Sequence, residues 1–212
     1  MSKDNNKHVT MWNSWSKSRF GKPVYDLWLE KYLPLFNQKE TILDLGCGIG
    51  ANTRYLIEQG YLVLSCDYSL QALKNIDQYI PNSQTKYLNM NDPFPFENNS
   101  FSTIVADISL HYFVDQKTIQ IMEEIKRILK PGGYLIARVS SVNDAYNISN
   151  AKDPDSRYHD YGSYGQRYFN EADLYRYFGL IGDFEYQEVM MTRNEPYYSY
   201  PKALYQVLVK KK

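Results

Sequence analysis

Apolar residues fall along this chain in two alternating patterns, short unbroken runs and longer stretches in which they recur every three or four positions. The runs Thr41–Leu45, Tyr61–Cys66, Phe101–Ala106 and Tyr134–Val139 read as strands buried on both faces, with a shorter strand at Thr85–Asn89. Between them the spacing predicts helices. One passes through Tyr55 and Leu56 and ends at Gly60. A second is capped by Ser69, carries Leu70, Leu73 and Ile76 on one face and stops at Pro81. A third is capped by Asp115, points Ile119, Met122, Ile125 and Leu129 inward, and ends at Lys130-Pro131-Gly132-Gly133. Pro93-Phe94-Pro95-Phe96 is excluded from any central strand, because proline cannot donate to the ladder. Such alternation predicts an α/β fold, a doubly wound and mostly parallel sheet with right-handed crossovers and helices on both faces.

The flanks are less regular. Tyr25, Trp28, Leu29, Tyr32, Leu33 and Phe36 recur at helical spacing after Pro23, with Pro34 as a kink or stop. Beyond Val139 the pattern lapses until a helix over Glu171–Phe178, capped by Asn170, and strands over Phe184–Arg193 and Ala203–Val209. The stretch Ser140–Gln166 exceeds the ~12 to 15 residues at which structureless connections become uncommon, and is expected to form a wall or lid of the site. The 212 residues are thus expected to form one domain, with an N-terminal helical lid (1–40), a ligand-binding core (41–139), a lid loop (140–169) and a C-terminal helix and strands (170–212).

Composition narrows the function classes. A hydrophobic fraction of 43%, 23% charged residues and zero formal net charge give no general attraction to nucleic acid or to an anionic membrane. The first ten residues are polar and no later segment is apolar for long enough to span a bilayer, so a cytoplasmic location is expected. Cys47 and Cys66 form no CxxC pair, and His8, His111 and His159 show no metal-ligand spacing, so no metal is expected. Lys210-Lys211-Lys212 reads as a frayed, solvated tail. Tyrosine is abundant, with 21 residues, and Tyr158, Tyr161, Tyr164 and Tyr168 crowd one short stretch.

The candidate chemistry lies at the first strand-to-helix turn, Gly46-Cys47-Gly48-Ile49-Gly50. In a doubly wound sheet this turn makes the closest backbone approach to a ligand, and glycines leave the space and backbone angles that approach needs. Asp67 closes the second strand about 20 residues on, where a carboxylate binds ribose hydroxyls. An adenosine-containing ligand follows. Because Gly46-x-Gly48-x-x-Ala51 also satisfies the dinucleotide fingerprint, spacing leaves the choice of ligand open.

The residues around that turn carry a resemblance. Ile42-Leu43-Asp44-Leu45-Gly46-Cys47-Gly48-Ile49-Gly50 resembles motif I of class I S-adenosylmethionine-dependent methyltransferases, with an acid two residues before the first glycine. Pro95-Phe96-Glu97-Asn98-Asn99-Ser100-Phe101 with Ser109-Leu110-His111-Tyr112-Phe113, and then Leu129-Lys130-Pro131-Gly132-Gly133-Tyr134-Leu135, resemble later landmarks of the type 11 group in the same order. The resemblance implies a Rossmann-like sheet with an antiparallel C-terminal strand and S-adenosyl-L-methionine as cofactor. It further implies that the backbone of Gly46, Cys47, Gly48 and Gly50 cradles the methionine part and that Asp44 supports its ammonium. Asp67 would hold the ribose, with Tyr68 beside the adenine, Asn89 or Met90 facing it, and Asp107 and Ile108 near the methionine end. Asn89 and Ser102 stand where the family commonly has Asp.

Each assignment has a plainer alternative. Asp44 would serve equally to fix the loop through backbone hydrogen bonds. His111 and His159 are candidate general bases, while a hydrogen-bonded wall histidine is the alternative for His111. The tyrosines, with Tyr197, Tyr198 and Tyr200, would line an acceptor pocket or simply pack together. Trp12, Trp15 and Arg19 resemble elements that fold over the cofactor. A small-molecule methyl acceptor is expected, since Ala106-Asp107-Ile108-Ser109 replaces the Asn-Pro-Pro-Tyr motif of amino-group DNA and RNA methyltransferases. Other acceptors (tRNA or protein), a nicotinamide oxidoreductase and a noncatalytic cofactor-binding regulator are the competing classes.

Overall fold

Ile42, Val105 and Ile136 face one side of a sheet while Leu43, Ile104, Ala106, Leu135 and Ala137 face the other, so the short apolar runs feed two separate cores. This arrangement is seen in a computed structural model, which describes residues 3–150, 157–162, 164–191 and 202–212. Its strands are β1 (Ile42–Leu45), β2 (Val63–Asp67), β3 (Gln84–Tyr87), β4 (Phe101–Asp107), β5 (Leu129–Ser140), β6 (Tyr158–Asp160), β7 (Gly165–Arg167), β8 (Gly182–Met190) and β9 (Ala203–Lys211). The helices are α1 (Lys3–Ser18), α2 (Ala51–Glu58), α3 (Leu70–Tyr79), α4 (Asp115–Ile128), α5 (Ala145–Asn150) and α6 (Glu171–Phe178).

One sheet runs in the order β3-β2-β1-β4-β5-β9-β8, and β6 pairs with β7 in a small hairpin. The pairs β1–β2, β2–β3, β1–β4 and β4–β5 are parallel, whereas β9 is antiparallel to both β5 and β8. The expected doubly wound, mostly parallel sheet with an antiparallel C-terminal strand is therefore present. On one face α4 and α6 contribute Ile121, Met122, Ile125, Leu174 and Phe178 to the larger core. On the other, Tyr55 and Leu56 of α2 pack with Trp28 and Leu29, while Leu73 and Ile76 of α3 close over Cys47. The chain winds outward from β1 to β3 and returns at β4 beside β1, which creates the crevice where such sheets bind ligands.

Several local expectations are corrected. The segment after Pro23 forms only a six-residue 3-10 turn, Glu30–Leu35, with Pro34 inside it. Its helical spacing arises from a different constraint, because Trp28, Leu29, Tyr32 and Phe36 all pack into the second core. The residue capping α4 is Val114, not Asp115, whose carboxylate instead accepts from Arg176 and Tyr177 of α6. Leu129 begins β5 rather than ending the helix, since it pairs with Phe101. The long connection after β5 contains α5 and the β6–β7 hairpin. At the C-terminus Lys210 and Lys211 belong to β9, and the Lys211 ammonium donates to Asn99 Oδ1 at 3.0 Å and Lys126 O at 2.6 Å, so that stretch is not frayed. Arg193, Tyr197, Tyr198 and Tyr200 lie outside the described residues.

Helix α1, within the stretch expected as a helical lid, is held by polar contacts as well as by the packing of Trp12 against Tyr112. The Ser69 hydroxyl donates to Asn13 Oδ1 at 2.9 Å and lies 3.2 Å from the Ser16 hydroxyl, while the same oxygen caps α3 by accepting from Ala72 N–H. Asn75, fully buried, donates to both Gly21 O and Ile49 O at 2.9 Å, tying the segment after α1 to the glycine turn.

Candidate functional site

The turn between β1 and α2 is shaped by left-handed backbone. Gly46 has φ +74° and Gly48 φ +53°, angles that side-chain-bearing residues rarely adopt. A Cβ on Gly46 would lie 2.4 Å from Ser109 Cβ, so that glycine permits close packing of β1 against the end of β4. A Cβ on Gly48 would meet nothing within 4 Å, because it would project into open space. Both Gly46 and Cys47 donate their N–H groups to Cys66 O, at 2.8 and 3.0 Å, and Gly48 donates to Asp67 Oδ2 at 2.9 Å. These amides are engaged within the protein, and the turn presents an uncovered backbone surface outward.

That open space is a cavity of about 330 Å³ beyond the carboxyl ends of β1, β2 and β4. Gly46, Cys47, Gly48, Asp67, Tyr68, Asn89, Met90 and Asp107 all line it, so the fold brings most of the residues singled out from the sequence to one wall. Asp67 Oδ1 accepts from Ser69 N–H at 2.8 Å, and with Gly48 and Tyr68 also donating, the carboxylate keeps one acceptor position for a ligand hydroxyl. Burial raises the Asp67 carboxyl above the ordinary range, opposed by the backbone donors of Ser69, Gly48 and Tyr68. Asn89 Oδ1 accepts from Asn91 N–H at 3.0 Å, which orients its amide at the cavity rim.

Asp44 and Gly50 do not reach that wall. Asp44 is 1% exposed, behind the turn, where Oδ2 accepts from the Thr53 hydroxyl at 2.7 Å and Oδ1 has no hydrogen-bond partner. Burial pushes its carboxyl up to about 7, with the charges of Asp107 and Asp67 adding to the effect and the Thr53 bond opposing it. Neither histidine lines the cavity. The His111 ring is buried, and Nδ1 accepts from Ser140 N–H at 3.2 Å. Burial, reinforced by Lys202 and opposed by Asp107, lowers its pKa to about 3, so the ring is neutral near pH 7. His159 sits on β6 against Tyr168, with ring centroids 5.6 Å apart.

Two groups complete the site, an aromatic one whose members the sequence singled out separately and a charged one of which it singled out only Asp107. Trp12 of α1, Tyr112 after β4 and Tyr164 of the hairpin form an aromatic cluster with centroids 4.7 to 6.3 Å apart, and Trp12 and Tyr112 line the cavity. Of the crowded tyrosines only Tyr158 lines it, while Tyr161 lies 5.1 Å from Tyr164 and its hydroxyl is 3.3 Å from that of Tyr168. The second group is charged. Arg138, on β5, is 1% exposed and donates to Asp107 through Nε at 2.6 Å and Nη2 at 2.8 Å. Its Nη1 donates to Asp26 Oδ2 at 2.8 Å, and its guanidinium lies 4.3 Å from the centroid of Trp28. Trp28 Nε1 donates to Asn52 Oδ1 at 2.9 Å and Asn52 Nδ2 to Asp107 Oδ2 at 3.1 Å, closing a ring of contacts under the cavity floor. Asp26 lies 112 residues from Arg138, so no local signal could have paired them.

Among the described residues no cluster of His, Cys, Asp and Glu could hold a metal ion, and no helix is long and apolar enough to cross a membrane. Cys47 and Cys66 are free and buried.

Residues 43–137 match the family model described as a methyltransferase domain. A demethylmenaquinone methyltransferase of Corynebacterium kroppenstedtii is 36% identical over 97 residues, which are 45% of this chain and 40% of that protein. The human mitochondrial arginine-hydroxylase NDUFAF5 is 32% identical over 133 residues, 62% of this chain and 35% of its own length. The chain thus spans less than half the length of these curated relatives. Among solved structures, an S-adenosylmethionine-dependent methyltransferase from Methanosarcina mazei superposes with a TM-score of 0.63 at 21% identity, over 90% of this chain and 99% of that one.

Proposed function

We propose that this chain, which belongs through residues 43–137 to the methyltransferase-domain family, binds S-adenosylmethionine and transfers its methyl group to a small-molecule acceptor. The observation that carries this reading is the joining of the bare Gly46–Gly48 backbone to Asp67 on one cavity wall, with open space where a Gly48 side chain would stand. A cradle that a Cβ would fill, next to a carboxylate with a spare acceptor position, suits an adenosine ligand with an amino-acid tail.

In this reading Asp67 holds the ribose hydroxyls, Asn89, Met90 and Tyr68 border the adenine, and Asn52 and Asp107 border the methionine end. Asp44 supports the loop through Thr53 and acts on the ligand only at second hand. When bound, the cofactor supplies an electrophilic methyl group on its sulfonium sulfur. What remains for the protein is to align an acceptor and exclude water, work suited to Trp12 and Tyr112, whose rings line the cavity. His111 is assigned a structural part, its Nδ1 held by Ser140 and its ring away from the cavity; His159 sits in the hairpin rather than at the reacting atoms. No side chain is therefore assigned as general base, and the acceptor is one that reacts after losing its proton to solvent or without losing one beforehand.

A small acceptor is favoured by the aromatic lining that Trp12 and Tyr112 give the cavity and by the absence of net positive charge on the chain. The relative that acts on demethylmenaquinone points the same way. The test is transfer of labelled methyl from S-adenosylmethionine into a cell extract fractionated into small molecules, RNA and protein. Label in the small-molecule fraction is expected. Label confined to RNA or protein would refute the acceptor class, and cofactor binding with no transfer in any fraction would favour a regulator.

A further inference from the structure

We infer that Arg167 anchors an anion subsite beside the cofactor cavity, so that the methyl acceptor is a small molecule carrying an oxyanion group, a carboxylate or a phosphate. The inference deepens the small-molecule reading above and rests on it. Arg167 closes β7 and pairs across the hairpin with Tyr158 of β6, a residue that lines the cavity. Residues directly opposite in an antiparallel pair share a face, which puts the guanidinium beside that wall. Its central carbon lies 5.9 Å from the centroid of the Tyr158 ring and 5.4 Å from that of Tyr177 on α6.

Arg167 is 7% exposed, its Nε is buried without a hydrogen-bond partner, and among the described residues no carboxylate forms an ion pair with it. The carboxylates nearby are engaged elsewhere. Asp115, whose carboxyl the Arg167 charge helps to hold down, gives Oδ1 to Arg176 Nε at 2.8 Å and to the Tyr177 hydroxyl at 2.6 Å, and Oδ2 to Arg176 Nη2 at 2.7 Å. Asp173, close enough to act on Tyr177, accepts from Arg157 Nε at 2.7 Å. Ring faces attract a cation without accepting its N–H groups. Arginine cannot shed its proton to escape burial, so a buried guanidinium calls for an anion, and its planar fork suits the paired oxygens of a carboxylate or phosphate. Lys117, two positions along α4 from Asp115, also lines the cavity; its ammonium donates to Asn91 O at 2.9 Å and keeps further donors. The carboxylates on the cavity wall, Asp67 and Asp107, stand instead at the ends of β2 and β4, on the cofactor's side. An oxyanion held by Arg167 fixes one end of the acceptor and so orients the rest of it. Arg167 is thus a binding residue that takes no part in bond making, and it recognises a charged acceptor without net positive charge on the chain.

The probes are benzoate, its neutral counterpart benzamide, and phenyl phosphate, whose rings suit the aromatic lining. Each is titrated calorimetrically at constant ionic strength into wild type, Arg167→Gln and Arg167→Lys, all saturated with S-adenosylhomocysteine. Wild type is expected to bind one or both oxyanions about tenfold more tightly than benzamide, Arg167→Gln to lose that preference and Arg167→Lys to keep part of it. Whichever oxyanion binds more tightly identifies the group as carboxylate or phosphate. Absence of oxyanion binding to wild type, equal affinity for benzamide and both oxyanions, or an undiminished preference in Arg167→Gln overturns the inference. Should Arg167→Gln not fold, the wild-type preference and its reduction in Arg167→Lys decide the matter. Failure of S-adenosylhomocysteine to bind wild type overturns the cofactor reading instead, and the oxyanion preference is then read without it.

Discussion

Gly48 donates its backbone N–H to Oδ2 of Asp67 at 2.9 Å, so the turn after β1 and the end of β2 are fastened together at the centre of the cavity wall. The same carboxylate receives Ser69 N–H through its other oxygen. Asp67 therefore shapes the turn as well as facing the ligand.

Replacing Asp67 with Ala removes the acceptor of both amides and the carboxylate offered to the ribose. The expected outcome is at least a tenfold rise in the dissociation constant of S-adenosylhomocysteine, about 1.4 kcal/mol or more. The Asn variant, which keeps one acceptor oxygen, should fall between the two in calorimetry. Equal affinities for wild type and Ala would remove Asp67 from the site.

Gly48→Arg should abolish cofactor binding while the protein still folds. A side chain there enters open space rather than the core, so the folding cost is confined to the left-handed backbone at φ +53°, about 1 to 2 kcal/mol. Circular dichroism and melting temperature report the fold, and calorimetry reports the ligand. Undiminished affinity would mean that the ligand does not lie against this turn.

Asp44→Asn separates loop support from ligand contact. The carboxyl is raised from 3.8 to about 7 in the folded protein, so its contribution to stability is fully present below pH 3.8 and is lost as pH rises through about 7. The Asn variant, whose amide oxygen can still accept from Thr53, should therefore gain stability relative to wild type as pH rises from about 4 to about 7, and hold that gain above it. The gain is on the order of 1 kcal/mol per pH unit over that interval, read from urea unfolding. Cofactor affinity should change less than threefold at pH 8. A large loss of affinity would restore Asp44 to direct contact with the ligand's ammonium.

The parts of this molecule that local physics determines were legible in its sequence. Asn170 caps α6 as expected, with Asp173 completing a reciprocal capping box, and the apolar runs of β1, β2, β4 and β5 became central strands because both faces of each are covered. The glycine turn and Asp67 were legible for the same reason, since backbone angle and strand-end position are encoded within a few residues. Long-range polar structure was not. Nothing near Asn13 or Ser16 signals that they meet Ser69, and Trp28 looked helical because its spacing satisfies a core that no helix builds. Leu129 fits the inward face of α4 and the start of β5 equally well by spacing, and pairing with Phe101 decides it. His111, adjacent to the functional edge in sequence, turned inward to Ser140 and so left the cavity to Tyr112.

The adenosine signal of the glycine turn admits either a sulfonium cofactor or a dinucleotide, because Ala51 completes the dinucleotide spacing as well. Parallel titration of the wild-type protein with S-adenosylhomocysteine and with NADH distinguishes the two. Saturable binding of S-adenosylhomocysteine at one site per chain, with no heat from NADH, is the expected result; saturable binding of NADH with none of S-adenosylhomocysteine would contradict the assignment.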